Sequence, residues 1–333
     1  MKKIISLLLL GVCFATRAQN NNDELFIEDT VSIFQEGKIS THRNERDLCI
    51  KFSSLEINKL QFSELYYTLQ DPGTGFSVIM TSHFDGTWSE PIPVSFSGNY
   101  NDLEPFITPD GNWMYFASNR SVTNGTASPD YNIWRSKRDG KKWGKPEKLG
   151  NGINTNENEF YPSVNNNGDL YFTAERKNGV GKEDIYVARK NDTSFAQPVP
   201  LDTGVNSTLY EFNAWIAPDD SIIIFTSYGR KDDMGRGDLY ISKKSKTGGW
   251  LPAVHLEGGI NSKKLDYCPY VDANGNFYFT SERVRPRLYH VPISTLADWD
   301  AITIAPANGN SDIYRVPSYF FRDVKRKALG EEE

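Results

Sequence analysis

The chain has 333 residues, a length compatible with two domains or with one large all-β domain. Aromatic residues make up 13% and charged residues 24% of the sequence, which is enough material for a core and argues against a disordered chain. The net charge of −6 argues against partners such as nucleic acids or anionic membranes, since both require basic patches. The late basic run at residues 322–327 is interpreted as part of a solvated tail.

The N-terminus has the layout of a secretory signal peptide. Two lysines precede an apolar run from Ile4 to Phe14, and small residues follow up to Ala18, where we expect cleavage. The run is too short for a permanent membrane helix, and no other stretch is apolar enough to span a bilayer. The alternative is a lipoprotein anchored at Cys13, but the bulky Val12 before it does not fit such a signal. We therefore expect an exported protein, periplasmic or secreted.

One phrase recurs about every 55 residues, which indicates a repeat architecture. It contains a strand that opens on an acidic residue, a tight polar turn, and a second strand that ends on a basic residue. The clear copies read EPFITPDGNWMYFASNR, EFYPSVNNNGDLYFTAER, EFNAWIAPDDSIIIFTSYGR and DYCPYVDANGNFYFTSER. We name the acidic residues at these positions the openers, and the sequence assigns them to Asp47, Asp102, Glu159, Glu211 and Asp266.

Each unit continues with a third strand and a fourth strand. An aromatic residue and a proline precede each fourth strand, and a connector reading GINT, GVNS or GINS leads to the next unit. The first turns contain Pro-Asp-Gly or Asn-Gly, residues that suit tight hairpins. Four short strands per unit predict the blades of a β-propeller.

We predict an all-β propeller of five four-stranded blades, with six blades as the alternative. The last blade takes its third strand from SDIYRV (residues 311–316) rather than from RLYHV (residues 287–291). The N-terminal segment Thr30–Thr41 supplies its missing fourth strand, which closes the ring and removes free sheet edges. The predicted segments are a signal peptide at 1–18, an extension at 19–27, one propeller domain at 28–318 with an insertion at 283–310, and a C-terminal tail at 319–333.

The repeats resemble the TolB-type, WD-like β-propeller repeat. The resemblance is carried by the turn Pro109-Asp110-Gly111, by the second strand at residues 115–120 and by the third strand at residues 184–186. It covers roughly residues 28–318 and is also similar to exported propellers that are frequent in Bacteroidetes-type bacteria. The resemblance implies a binding or scaffolding role in the cell envelope, but a fold that hosts many functions does not identify a ligand.

The openers form the first candidate site. First strands line the central channel of a propeller, so five equivalent carboxylates form a ring able to bind a cation, an ammonium group or a basic peptide. Two or three of them also have the composition of a glycosidase acid and base. The other interpretation is a repeated structural ion pair, because buried acids are normally paired. Its basic partners are Arg120, Arg176, Arg230 and Arg283.

Positions whose residues differ from blade to blade, and the insertion in the last blade, supply the remaining candidates for a binding site. One register, two residues after each opener, contains Glu104, Tyr161, Asn213, Cys49 and Cys268, and these residues either shape a channel mouth or fill the core. The two cysteines fall in neighbouring blades, and whether they pair depends on a Cα separation below about 7 Å. Within the insertion, Tyr289, His290 and Trp299 are candidate loop contacts for a sugar or a peptide, or pack over the propeller face.

Common catalytic signatures are absent from the sequence. It has no G-x-S-x-G or H-E-x-x-H motif, and its four histidines show no metal-ligand spacing. We therefore expect no metal and no cofactor. The main prediction is a non-enzymatic exported propeller that binds an envelope protein, a glycan or a peptide. The alternative is a carbohydrate-active, glycosidase-like enzyme that uses channel carboxylates.

Overall fold

The computed structural model describes residues 30–56, 59–123, 125–150, 152–286 and 292–331. The predicted signal peptide with Cys13, the extension at 19–27, and the candidate contacts Tyr289 and His290 lie outside these ranges. Within the described ranges, none of the helices has the length and apolar character needed to cross a membrane.

The strands form five antiparallel sheets, which are the blades of a five-bladed β-propeller. The first short strand, β1 (Ser32–Ile33), belongs to the last blade. Blade 1 contains β2 (Asn44–Glu56), β3 (Lys59–Gln70), β4 (Ser77–Asp85), β5 (Thr87–Trp88) and β6 (Ile92–Pro93). Blade 2 contains β7 (Asp102–Ile107), β8 (Trp113–Ser118), β9 (Asn132–Asp139), β10 (Lys142–Trp143) and β11 (Glu147–Lys148).

The remaining blades have four strands each. Blade 3 contains β12 (Glu159–Val164), β13 (Leu170–Ala174), β14 (Asp184–Ala188) and β15 (Val199–Pro200). Blade 4 contains β16 (Tyr210–Ile216), β17 (Ile222–Tyr228), β18 (Asp238–Lys243) and β19 (Val254–His255). Blade 5 contains β20 (Asp266–Val271), β21 (Phe277–Ser281), then helix α1 (Leu296–Thr303) in the insertion, and β22 (Asp312–Val316). The chain ends with helix α2 (Ser318–Ala328).

The N-terminal strand closes the ring as predicted. Strand β1 pairs antiparallel with β22, with Ser32 opposite Arg315 and Ile33 opposite Tyr314. Ser40, which stands where the connectors of other blades have asparagine, donates its hydroxyl to the carbonyl of Ile313 at 3.1 Å. Residues from opposite ends of the chain thus complete one sheet, and the five-bladed prediction is confirmed.

An asparagine in three of the connectors ties the connector to the third strand of the blade before it. Its side-chain oxygen accepts a hydrogen bond from a third-strand N–H, and its amide donates to the carbonyl of the same third-strand residue. The pairs are Asn154 with Ile133, Asn206 with Ile185, and Asn261 with Leu239. This satisfies buried backbone groups that no strand reaches, which explains why the G-[IV]-N-[TS] phrase recurs.

The turn between the first and second strands of a blade adopts the left-handed backbone conformation that its residues favour. Gly111, Gly168 and Gly275 have φ of 72°, 81° and 78°. Blade 4 has Asp220 at the equivalent position, with φ of 62°, and aspartate is one of the few other residues that visits this region. The Pro-Asp-Asp departure therefore keeps the same turn.

The C-terminal segment differs from the solvated tail that we expected. Helix α2 buries Phe321 and Val324, and the ring of Phe321 stacks on Phe277 with centroids 4.4 Å apart. These apolar residues are three positions apart and so share one face of the helix, while the basic residues lie near its end. The basic run thus belongs to a packed amphipathic helix. By contrast, α1 of the insertion buries no residue, and Trp299 is 53% exposed.

Candidate active site at the propeller axis

Four of the predicted openers occupy equivalent, fully buried positions. Each carboxylate accepts a charged hydrogen bond from the arginine that follows the second strand of the same blade. The nitrogen–oxygen distances are 2.6 Å for Arg120–Asp102, 3.2 Å for Arg176–Glu159, 3.0 Å for Arg230–Glu211 and 2.8 Å for Arg283–Asp266. Serine or threonine hydroxyls from the preceding connector bind the same carboxylates.

The arginines are themselves held on several sides. Arg230, for example, lies 5.4 Å from the ring centroid of Phe225 and 4.7 Å from that of Tyr240, and it donates to the carbonyl of Val205 in the connector. Arg120, Arg176 and Arg283 make the same kinds of contact in their own blades. Internal bonds occupy each opener pair, and none of these four carboxylates lines the two pockets described below.

The opener predicted for blade 1 is wrong by two residues. Glu45, not Asp47, accepts hydrogen bonds from the N–H and hydroxyl of Thr41, as Glu159 does from Thr155. Blade 1 has no arginine to pair with it. Burial therefore dominates and raises the pKa of Glu45 to about 6, although Thr41 and Arg43 act in the opposite direction.

A β-bulge follows the opener in every blade and re-aims one side chain. The ladder register shifts two residues after the opener, and the residue at that point has a positive φ between 47° and 62°. These five residues, which we name the axial residues, are Asp47, Glu104, Tyr161, Asn213 and Cys268. Five non-glycine residues in this unfavourable region mark a strained position that the ring imposes, and such positions cluster at functional sites.

The axial residues contact one another across blade boundaries. The Cys268 thiol donates to Asp47 at 2.7 Å, and the Asn213 amide lies 3.2 Å from the Cys268 sulfur. Glu104 accepts from the backbone N–H of Tyr161 at 2.7 Å, and the Tyr161 hydroxyl donates to the carbonyl of Pro269 at 3.1 Å. Five blades thus converge on one polar cluster at the axis.

A missing threonine explains why the backbone N–H of Tyr161 donates to a carboxylate. In three other blades, the N–H of an axial residue donates to a second-strand threonine of the preceding blade, as Glu104 does to Thr68 and Asn213 to Thr173. Blade 2 has Ala117 at that position, so the Tyr161 N–H has no hydroxyl to reach. Glu104 takes the place of the missing hydroxyl.

A partly buried cation lies between two axial carboxylates. Arg46 contacts Asp47 and Glu104, each at 2.9 Å, and its guanidinium lies 5.2 Å from the ring centroid of Tyr267. Burial, together with the charge of Asp47, raises the pKa of Glu104 to about 8, and the opposing effects of Arg46 and the Tyr161 N–H do not cancel this. The raised pKa favours the protonated form of Glu104 near neutral pH.

An axial pocket of about 290 Å³ opens over this cluster, on the face where the first strands begin. Arg46, Glu104 and Asn213 contribute from the axial region, and Glu183 adds a second carboxyl whose pKa is raised by burial and by Glu175. Apolar and polar neighbours complete the lining: Gln70, Leu103, Tyr131, Phe160, Thr173 and Phe212. Asp47 lies beneath the lining and is 2% exposed.

Sequence analysis missed most of this lining, although a simple signal was present. Arg46, Leu103, Phe160 and Phe212 each lie one residue after a true opener, and all four line the axial pocket. Tyr131 and Glu183 each come directly before a third strand. Neighbours of the repeated acids, rather than the acids themselves, form the site.

The sequence analysis placed the two cysteines at equivalent positions, but the structure separates them. Cys268 is an axial residue, whereas Cys49 lies two residues beyond Asp47 and packs in the core between blades 1 and 2. Both cysteines are buried and free. Across the described ranges, no group of three or more histidine, cysteine or acidic side chains has a geometry suited to a metal ion.

No family model matches this chain, and no curated protein matches it either. The fold is similar to solved propeller structures. A glycoside hydrolase is 10% identical, with a TM-score of 0.55, and the alignment covers 86% of this chain and 91% of the other. An α-L-arabinofuranosidase from Lactobacillus brevis is 13% identical, with a TM-score of 0.48 and coverage of 86% and 96%. A thermostable family-43 glycoside hydrolase is 12% identical, with a TM-score of 0.46 and coverage of 72% and 83%.

These similarities correct two predictions. The five-bladed propeller is established, but no family model supports the TolB-type, WD-like resemblance, and the similar structure with a TM-score of 0.55 is a glycoside hydrolase. Our main prediction, a non-enzymatic binding propeller, is contradicted, because the solved propeller of similar fold is a glycoside hydrolase, the class of protein named in our alternative prediction. At 10% identity the likeness shows the fold alone, so the activity depends on the chemistry of the axial pocket.

Proposed function

We propose that the protein is a glycosidase-like hydrolase whose active site is the axial pocket. The observation that carries this proposal is the raised pKa of Glu104, about 8, in a pocket that contains a second carboxyl, Glu183. Glycoside hydrolysis requires two carboxyl groups in different protonation states, one to donate a proton and one to assist the attacking group. The openers do not supply them, because four of their carboxylates are paired with arginines and the fifth, Glu45, does not line the axial pocket.

Glu104 has the properties of a general acid. It is buried next to Asp47, and that negative charge opposes ionisation of Glu104. Its proton passes to the glycosidic oxygen while the bond between that oxygen and the anomeric carbon breaks. Asp47 does not line the pocket, so its role is to maintain the protonated state of Glu104.

Glu183 is the partner carboxylate in this mechanism. It takes a proton from a water molecule, whose oxygen forms the new bond to the anomeric carbon. The products are a free sugar and an alcohol, and the two carboxyl groups have exchanged a proton through substrate and water. Proton exchange with solvent restores both groups.

The remaining lining suits a saccharide. Tyr131, Phe160 and Phe212 offer apolar ring surface, and Gln70, Asn213 and Arg46 offer hydrogen-bonding groups. A few polar groups within an apolar and aromatic lining are typical of small-molecule sites. A volume of about 290 Å³ favours one sugar unit rather than a long chain.

Hydrolysis of glycosides with different leaving groups tests the assignment of Glu104. The purified protein is assayed against a panel of aryl glycosides and natural disaccharides, together with Glu104→Gln, Glu183→Gln and the exposed control Glu157→Gln. The oxygen of a poor leaving group must be protonated as it departs, whereas an activated aryl group departs without a proton. Glu104→Gln is therefore expected to lose about 10²–10⁴-fold activity on disaccharides and much less on dinitrophenyl glycosides.

Each variant has a distinct expected pattern. Glu183→Gln loses activity on both substrate types, because both need an attacking water, and Glu157→Gln retains full activity. No hydrolysis of any glycoside by the folded protein would refute the proposed function. Equal losses on both substrate types in Glu104→Gln would refute its role as the acid.

We also propose that the protein acts in the cell envelope on a glycan, after removal of residues 1–18. The support is the layout of the N-terminal sequence. Fractionation of expressing cells, with N-terminal sequencing of the mature chain, tests it. A chain that remains cytosolic with Met1 intact contradicts export.

A further inference from the structure

A second pocket lies between blades 1 and 2, on the face opposite the axial pocket. It has a volume of about 660 Å³ and includes Gly140 and Lys141 of the turn that joins β9 to β10, and Lys142 at the start of β10. First and third strands both begin at the face of the axial pocket, so this turn lies at the other end of the blade. We name this site the basic pocket.

The lining is strongly cationic, although the chain carries a net charge of −6. Lys51, Arg138, Lys141 and Lys142 line it, together with His83, and Glu64 is its one acidic residue among the described side chains. Glu64 is already bound by Arg138, and Lys141 and Lys142 form no ion pair with a described carboxylate. The pocket therefore has excess positive charge.

The floor of the basic pocket is a rigid network. Tyr66 donates its hydroxyl to Glu64 at 2.6 Å and accepts from Arg138 at 3.0 Å and from the Trp143 indole at 3.1 Å. Burial acts to raise the pKa of Glu64, but the bonds from Arg138 and Tyr66 outweigh it and lower that pKa. Tyr66 and Trp143 are almost fully buried, which fixes the position of the Arg138 guanidinium.

One buried polar group in this pocket lacks a partner. The Thr81 side chain lines the pocket and is 8% exposed, and its hydroxyl forms no hydrogen bond among the described residues. Buried hydroxyl groups are normally satisfied, and each exception requires an explanation. A ligand oxygen bound at the floor of the pocket provides one.

We propose that the basic pocket binds a small organic anion, with a carboxylate or sulfate directed at the lysines and an apolar body against Val94 and Pro93. Excess cations supply the attraction, and the rigid floor supplies shape. Sulfated sugars, uronic acids and inorganic oxyanions share this charge chemistry, and the choice of probes separates them. The site is independent of the proposed hydrolase activity.

Calorimetric titration with matched probes tests this site. D-glucuronate and sodium sulfate are compared with glucose at constant ionic strength, set with sodium chloride. We expect glucuronate to bind at least tenfold more tightly than glucose, since the two differ mainly in one carboxylate. If sulfate binds as tightly as glucuronate, the site recognises any oxyanion and the apolar body of the ligand has no role. That result overturns the organic part of the proposal.

Variants locate the binding. The double variant Lys141→Gln/Lys142→Gln is expected to weaken glucuronate binding at least tenfold, while Lys145→Gln, an exposed lysine outside the lining, leaves it unchanged. Thr81→Val is expected to weaken it severalfold without loss of folding. Glu157→Gln, at an exposed acid that lines neither pocket, also leaves it unchanged. Unchanged affinity in the double lysine variant, or no preference for glucuronate over glucose, overturns the proposal.

Discussion

The openers and the axial residues lie two positions apart in the same strands, yet they play opposite parts. The openers are acidic in all five blades, and in four of them an arginine of the same blade holds the carboxylate. The axial residues differ in every blade and contact neighbours from other blades. Repetition thus marks the scaffold, whereas variation within the repeat marks the place where chemistry is possible.

The contrast has a physical cause. An opener satisfies its carboxylate within its own blade and connector, so the same arginine pair recurs in four blades. An axial residue meets four others at the centre, where five copies of one charge would repel each other without compensation. Asp47 and Glu104 therefore share one cation, Arg46, with neutral Tyr161, Asn213 and Cys268 around them.

The largest expected effect distinguishes the axial residues from the openers by what their substitution does to activity. Glu104→Gln retains an acceptor for the Tyr161 N–H, so the protein should fold normally while hydrolysis falls by about 10²–10⁴-fold. Glu211→Gln should behave in the opposite way, with lower stability but normal activity of the folded fraction. Parallel measurements of activity and urea unfolding check this contrast. Loss of activity in both variants at full folding would place the openers in the catalytic site.

The second prediction concerns the buried pairs. Arg176→Ala leaves Glu159 buried without its cation, which should lower the free energy of unfolding by about 3–5 kcal/mol. Arg236→Ala breaks the pair with Glu282, in which the arginine side chain is 69% exposed, and should cost about 1 kcal/mol or less. Urea denaturation of both variants measures the difference. Similar costs at the two positions would contradict a structural role for the opener pairs.

The third prediction uses blade 1, whose opener has no arginine. The pKa of Glu45 is raised to about 6 in the folded protein, so the folded state holds this proton more tightly than the unfolded state. The stability linked to that proton is fully present below pH about 4.5 and is lost as the pH rises through about 6. Glu45→Gln removes this loss, which amounts to about 2 kcal/mol.

Unfolding curves at several pH values check this prediction. Wild type and Glu45→Gln should differ most in their pH dependence between pH 4.5 and 6. The variant Glu157→Gln, an exposed acid, should follow the wild type throughout. Parallel curves for wild type and Glu45→Gln would show that Thr41 and Arg43 compensate the buried charge.

The smallest expected effect is a shift in a pH profile. The charge of Asp47 contributes to the raised pKa of Glu104, so Asp47→Asn should lower that pKa and move the alkaline limb of activity to lower pH by about one unit. Wild-type activity should decline above pH about 8. An alkaline limb that stays in place in Asp47→Asn would show that burial alone sets the pKa of Glu104.

Local sequence signals predicted the propeller well. Turn residues, the aromatic and proline before each fourth strand, and the connector asparagines act within one blade or between adjacent segments, so they are readable in order along the chain. The N-terminal closing strand was also predictable, because Gly37 and Ser40 repeat the connector pattern. The register of blade 1 was not, since Asp47 and Glu45 are both acidic and only the Thr41 contacts distinguish them.

By itself, the sequence determined the number of blades, the closure of the ring and the acid and arginine positions of blades 2 to 5, because these depend on local pattern and periodicity. Only the tertiary structure decided which carboxyl groups are free for chemistry. The bulge after each opener turns the next side chains toward the axis, and burial beside Asp47 then gives Glu104 its raised pKa. The pKa of Glu104 depends on Asp47, a residue of another blade, and no local pattern encodes that contact.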